Sequence, residues 1–80
     1  MRFLVSISRK DGLADPEGAT TARALRDLGY GDVGEVHFGR TILVELSGDD
    51  LDDARDRVDE MCRRLLANPV IEDFTIEALP

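Results

Sequence analysis

The sequence has no tryptophan, one tyrosine, one histidine and one cysteine. A single cysteine excludes an internal disulfide and fits a reducing compartment. One cysteine and one histidine, with no carboxylate cluster beside them, make a poor metal site. Basic residues are scarce: 10 Lys and Arg stand against 17 Asp and Glu, a formal charge of -7. That sign argues against a nucleic-acid partner, because phosphate neutralisation needs clustered cations. It argues equally against an anionic membrane surface. No apolar run approaches the ~18 residues of a membrane span. Only five residues separate Arg2 from Ser8-Arg9-Lys10, too few for the core of a signal peptide. The expected location is therefore the cytoplasm. Low-complexity tracts and linkers are also lacking, so residues 1–80 are read as a single domain. A core this small is thinly stabilised, and burial against another subunit is expected.

What is present is a clear series of elements. Phe3, Val5 and Ile7 alternate with Leu4, Ser6 and Ser8, the period of a half-buried strand. After the loop RKDGLADPEG, a helix start is signalled by Asp15 as cap, Pro16 in the first turn and Glu17 near the positive dipole end. Ala19, Ala22, Leu25 and Leu28 recur at three-residue spacing, and Gly29 stands where a left-handed cap belongs, with Tyr30 folding back. A second helix begins at Asp49-Asp50. Leu51, Ala54, Val58, Met61, Cys62 and Leu65 form its apolar stripe. Asp53–Arg57, Asp59–Arg63 and Glu60–Arg64 sit at i,i+4 on its other face. Pro69 ends it. Val70, Phe74, Ile76 and Ala78 then share one parity as a last strand, with Glu72 the exception.

The middle segment, 33–46, places Val36, Phe38, Ile42, Val44 and Leu46 on one parity, broken only by Arg40. A two-residue hairpin at Gly39 would split that set between two faces. A three-residue loop, or one long strand bent at Gly39, would preserve it. As one strand, its 14 residues would run roughly 46 Å. A compact chain of this length is only about 30 Å across, so the strand would project and need a partner. The expected fold is α+β, a two-layer sandwich. Its antiparallel sheet has three or four strands with a long bent middle strand, and two helices lie on one face in the order β-α-β(β)-α-β.

Gly29 to Gly34, GYGDVG, spells the G-x-G-x-x-G of a dinucleotide loop. Here the glycines follow a helix and open a strand, the reverse of a phosphate cradle, which needs a helix N-terminus. A helix cap and a turn explain them. Cys62 lies on the apolar stripe as a core residue, with no base nearby to activate it. The run GDDLDD lacks the ligand alternation of a calcium loop and serves as a helix cap. No catalytic, cofactor-binding or metal residues are assigned. The candidate positions are interface ones: Arg40, isolated on an apolar parity, with His37, Phe38 and Gly39 beside it. For Arg40 the pattern leaves an interface or phosphate role and plain exposure both open.

The order of these signals resembles a known family. GLADPEG and ALRDLGY, VGEVHFGRTILVEL, and MCRRLLANPVIEDFTIE are together similar to the PurS-type small subunit of phosphoribosylformylglycinamidine (FGAM) synthase, over nearly the whole chain. Departures fall at Ala14, His37 and Thr41. The resemblance implies a non-catalytic subunit of a glutamine-hydrolysing carbon–nitrogen ligase in de novo purine biosynthesis. That complex uses ATP, Mg and glutamine to convert formylglycinamide ribonucleotide to the amidine. The resemblance also implies that a homo-oligomer of this subunit, a dimer or dimer of dimers, bridges the glutaminase and large synthetase subunits and aids ammonia transfer. No cofactor is implied for this chain itself. The alternative is a stand-alone, ferredoxin-like regulatory domain that binds a small ligand at an oligomer interface.

Overall fold

The computed structural model describes residues 1–80. Strand β1 spans Arg2–Arg9, helix α1 Pro16–Asp27, strand β2 Gly39–Glu45, helix α2 Leu51–Met61 and strand β3 Glu72–Leu79. A π-helical turn, Cys62–Leu66, extends α2. The strands form one antiparallel sheet in the order β2-β1-β3. This is the α+β, β-α-β-α-β arrangement that the hydrophobic periods require.

Register sets the two faces. Phe3, Val5 and Ile7 lie opposite Val44, Ile42 and Arg40 on one side and Ala78, Ile76 and Phe74 on the other. Ala54 and Val58 of α2 and Cys62 of the π-helical turn cover that face, and together with Phe3, Val5, Ile7 and Ala67 they make the core. Each large aliphatic or aromatic side chain buried there contributes roughly 1.5–3 kcal/mol. The opposite face carries Ser6 between Thr41 and Thr75, and Leu4 between Leu43 and Glu77.

The middle segment is one strand, not a hairpin, and its ladder is shorter than the apolar parity suggests. Gly39 pairs with Ser8, one residue before β1 ends, so residues 33–38 have no strand to pair with. Gly39 marks the start of the ladder rather than a bend within it. A Cβ there would lie 2.6 Å from the Ile7 carbonyl oxygen, so glycine is required by the close approach of β1.

Helix α1 starts and stops as its sequence dictates. Asp15 accepts from the Gly18 N–H at 2.9 Å. Gly29 takes φ +109, with Tyr30 N–H returning to the Leu25 carbonyl at 3.1 Å and Gly29 N–H to that of Arg26 at 3.0 Å. Its packing differs from the expected pair of helices on one sheet face. No α1 residue belongs to the core cluster. The helix lies instead against residues 33–38, so closely that a Cβ on Gly18 would meet the Val36 carbonyl oxygen. The molecule is accordingly 50 × 28 × 14 Å, with a radius of gyration of 16.2 Å. A compact chain of this length would have about 12 Å.

Helix α2 is capped by Asp50, which accepts from the Asp53 N–H at 3.1 Å. The three expected i,i+4 pairs form, Arg57–Asp53 at 3.5 Å, Arg63–Asp59 at 2.8 Å and Arg64–Glu60 at 3.1 Å. Two stripe positions are corrected. Leu51, in the first turn, is 48% exposed and lies outside the core cluster. Leu65 is 83% exposed while Leu66 packs on the core, because the π-helical turn fits an extra residue into one turn after Cys62, so each residue rotates less than in an α-helix.

Candidate interaction surface

Two polar clamps organise the end of the sheet where β1 finishes. The first is Asp15. One carboxylate oxygen caps α1 at Gly18, and the other accepts the Phe38 N–H at 2.8 Å. A single side chain thus ties the helix to the 33–38 segment. These two backbone donors, Phe38 first, hold the Asp15 carboxyl below its ordinary value. Arg26 adds a second tie, donating to the carbonyls of Val33 at 3.1 Å and Gly34 at 3.2 Å. The last two residues of GYGDVG, Val33 and Gly34, therefore present carbonyl oxygens to a cation of their own chain. The glycines cap and turn, as their order in the sequence requires.

The second clamp is Arg40. Its guanidinium binds both carboxylate oxygens of Glu72, at 2.5 and 3.1 Å, and donates to the Leu66 carbonyl at 2.8 Å. The Glu72 side chain is only 12% exposed and also accepts the Asn68 N–H at 2.7 Å. Arg40, followed by that N–H, holds the Glu72 carboxyl below the usual glutamate range, and Glu72 raises Arg40 in turn. Arg40 and Glu72 are the two charges on the apolar parities of the middle and last strands. Each explains the other. That pairing was missed by reading each strand alone, although two opposite charges on matching parities were its signal. Val70, expected on the last strand, instead lies in the turn before Glu72 and is 79% exposed.

The remaining candidates lie on the 33–38 segment or at its root. His37 Nε2 and Glu35 Oε2 are 3.0 Å apart and exposed. Phe38 is held by its backbone N–H, and the residue is 41% exposed. The structure thus separates Arg40, turned to Glu72 and the π-helical turn, from His37 and Phe38, which face outward. Cys62 is fully buried, and burial pushes its thiol up, disfavouring a nucleophilic thiolate.

Concave surface is shallow and its charges are used internally. A cleft of about 620 Å³ is lined by Lys10, Arg55, Asp59, Arg63, Asp73 and neighbours. Within it Lys10 pairs with Asp73 at 2.8 Å, Arg63 with Asp59, and Arg55 donates to the Ile76 carbonyl at 3.1 Å. Large apolar side chains are also exposed: Leu13, Phe38, Leu65, Val70 and Ile71 around the end of the sheet that carries both clamps, and Leu28, Tyr30, Leu43 and Leu51 elsewhere.

A small α+β domain whose polar groups brace its own backbone, and which exposes several large apolar residues beside both clamps, has the surface features of a small subunit that docks against other proteins. The family model described as "PurS: Phosphoribosylformylglycinamidine (FGAM) synthase" matches residues 2–80, and the chain belongs to that family. It is 42% identical over 73 residues to the phosphoribosylformylglycinamidine synthase subunit PurS of Methanocaldococcus jannaschii, covering 91% of this chain and 88% of that protein. The crystal structure of Methanocaldococcus jannaschii PurS, one of the subunits of formylglycinamide ribonucleotide amidotransferase, superposes with a TM-score of 0.84 at 39% identity, over 95% of this chain and 92% of that one. A chain in the structure of PurLQS from Thermotoga maritima gives a TM-score of 0.89 at 28% identity, over 98% of this chain and 95% of its own.

Proposed function

We propose that this chain is the small, non-catalytic subunit of the FGAM synthase complex of purine biosynthesis, joining a glutaminase subunit to a large synthetase subunit and aiding ammonia transfer between them. Its similarity over 98% of its length to a chain of a PurLQS structure carries this reading. The internal use of the basic side chains supports it, since all but Arg23 contact groups of their own chain and few cations are left to bind an anionic substrate. In this reading ATP, Mg and glutamine are handled by the other subunits, which convert formylglycinamide ribonucleotide to the amidine, and the complex works in the cytoplasm.

The subunit acts as a homo-oligomer, a dimer or dimer of dimers. Three features support self-association: the 50 Å length, an α1 that adds nothing to the core, and unpaired backbone along 33–38 beside a free sheet edge. His37, Phe38 and Gly39 lie on the contact strip, and Arg40 braces its root. The test is capture of partners from cytosol with the tagged chain, with light scattering on the purified protein. Co-purification of the glutaminase and synthetase subunits with a multimeric mass is expected. A monomer that retrieves neither, and is stabilised by an added amino acid, would sink the proposal in favour of a ligand-binding regulator.

A further inference from the structure

The apolar stripe of α2 runs at α-helical spacing through Leu51, Ala54, Val58, Met61 and Cys62, and that spacing leads next to Leu65. The chain leaves this register at Cys62. The Ala67 N–H reaches back five residues to the Cys62 carbonyl at 2.9 Å. The wider turn brings Leu66 onto the core and leaves Leu65 outside. Both neighbours are leucine, so either register delivers the same side chain to the same apolar slot. Hydrophobic burial alone does not choose between them.

The choice falls to polar contacts, and the two that tie the turn to the sheet come from one ion pair. Arg40 donates to the Leu66 carbonyl at 2.8 Å, and Glu72, gripped by Arg40, accepts the Asn68 N–H at 2.7 Å. An α-helical last turn would shift the Leu66 carbonyl and the Asn68 N–H away from these partners. We propose that the last turn of α2 is a two-register element, latched in its π-helical register by Arg40 and Glu72, which turns Leu65 outward. Without the latch the turn regains α-helical spacing, Leu65 rotates onto the core and Leu66 faces water. π-helical turns are rare and often accompany functional sites. This one determines which leucine the molecule displays.

The experiment measures urea unfolding of Leu65→Ala and Leu66→Ala in two backgrounds, wild type and Arg40→Gln. In wild type, Leu66→Ala lowers the folding constant roughly tenfold or more, as a truncation against the core. Leu65→Ala lowers it by less than about threefold, as a surface change. In Arg40→Gln the order reverses. Arg40→Met, which keeps the aliphatic stem but offers no donor to Glu72 or the Leu66 carbonyl, serves as the second background where Arg40→Gln does not fold. Leucine methyl spectra with a soluble relaxation agent give an independent reading. The Leu65 methyls broaden in wild type, and the Leu66 methyls broaden in the latch variant. The same leucine buried in both backgrounds, or Leu65 buried in wild type, overturns the proposal.

Discussion

At Gly18 two rules oppose each other. Replacing a helical glycine by alanine favours the helix by about 1 kcal/mol. The new Cβ, however, would lie 1.9 Å from the Val36 carbonyl oxygen and 2.9 Å from Asp15 Oδ2. The first obstacle is backbone, so helix and segment must part, at roughly the 1–3 kcal/mol typical of overpacking. Gly18→Ala is therefore expected to lower the Tm, with hydrogen exchange accelerated at Phe38, whose N–H bond to Asp15 is stretched. A raised Tm would mean that the helix and segment separate freely. Cys62 presents the simpler case. It is fully buried beside Val58, and Cys62→Ala should cost about 1–2 kcal/mol as a small core truncation. Activity of the assembled ligase is expected to persist at moderate temperature. Loss of activity at unchanged stability would assign the thiol a chemical role.

The clamps join elements, and their protonation makes that joining depend on pH. Glu72 has a folded pKa below its ordinary 4.5, and Asp15 one below 3.8, through the donors already named. For a carboxylate lowered on folding, the stabilisation is complete above the unfolded pKa and is lost as pH falls through the folded one. Stability should therefore be flat above about pH 5 and decline below it, where the unfolded chain takes up protons first. In Glu72→Gln part of this decline should vanish, so thermal melts from pH 6 to 3 should be shallower than in wild type. Parallel curves would show that the Arg40–Glu72 pair contributes equally to folded and unfolded chains. The same clamps mark what a single sequence conceals. Caps at Asp15, Asp50 and Gly29, and the i,i+4 pairs of α2, involve neighbours and were legible. The end of β2 at Gly39 depends on where β1 stops, and the turn after Cys62 on an arginine 26 residues before Leu66. Local periodicity contains neither.

At the scale of the whole molecule, shape is the main clue to assembly. The apolar parity of 33–46 suggested a strand too long for its own domain. The structure keeps the excess length but leaves its first half unpaired, with α1 held against it by Asp15 and Arg26. Helix and segment therefore extend together from the sheet, and a second copy is the reading proposed for what they meet. Phe38 allows that idea to be tested without disturbing the fold. Its only polar contact within the chain is its N–H, which any residue but proline supplies, while the residue is 41% exposed. Phe38→Asp keeps the bond to Asp15 and places a charge on the proposed contact strip, in a chain already at -7. The expected result is a lower mass by light scattering, weaker retention of the synthetase and glutaminase subunits, and an unaltered circular dichroism spectrum. The cost to the isolated fold should stay near the ±0.5 kcal/mol typical of surface changes. Added salt should partly restore the mass, because screening over a Debye length of about 10 Å at 0.1 M weakens repulsion between like charges. A full-sized oligomer that still binds both subunits would remove Phe38 from the interface and shift attention to Leu65, Val70 and Ile71 at the neighbouring end of the sheet.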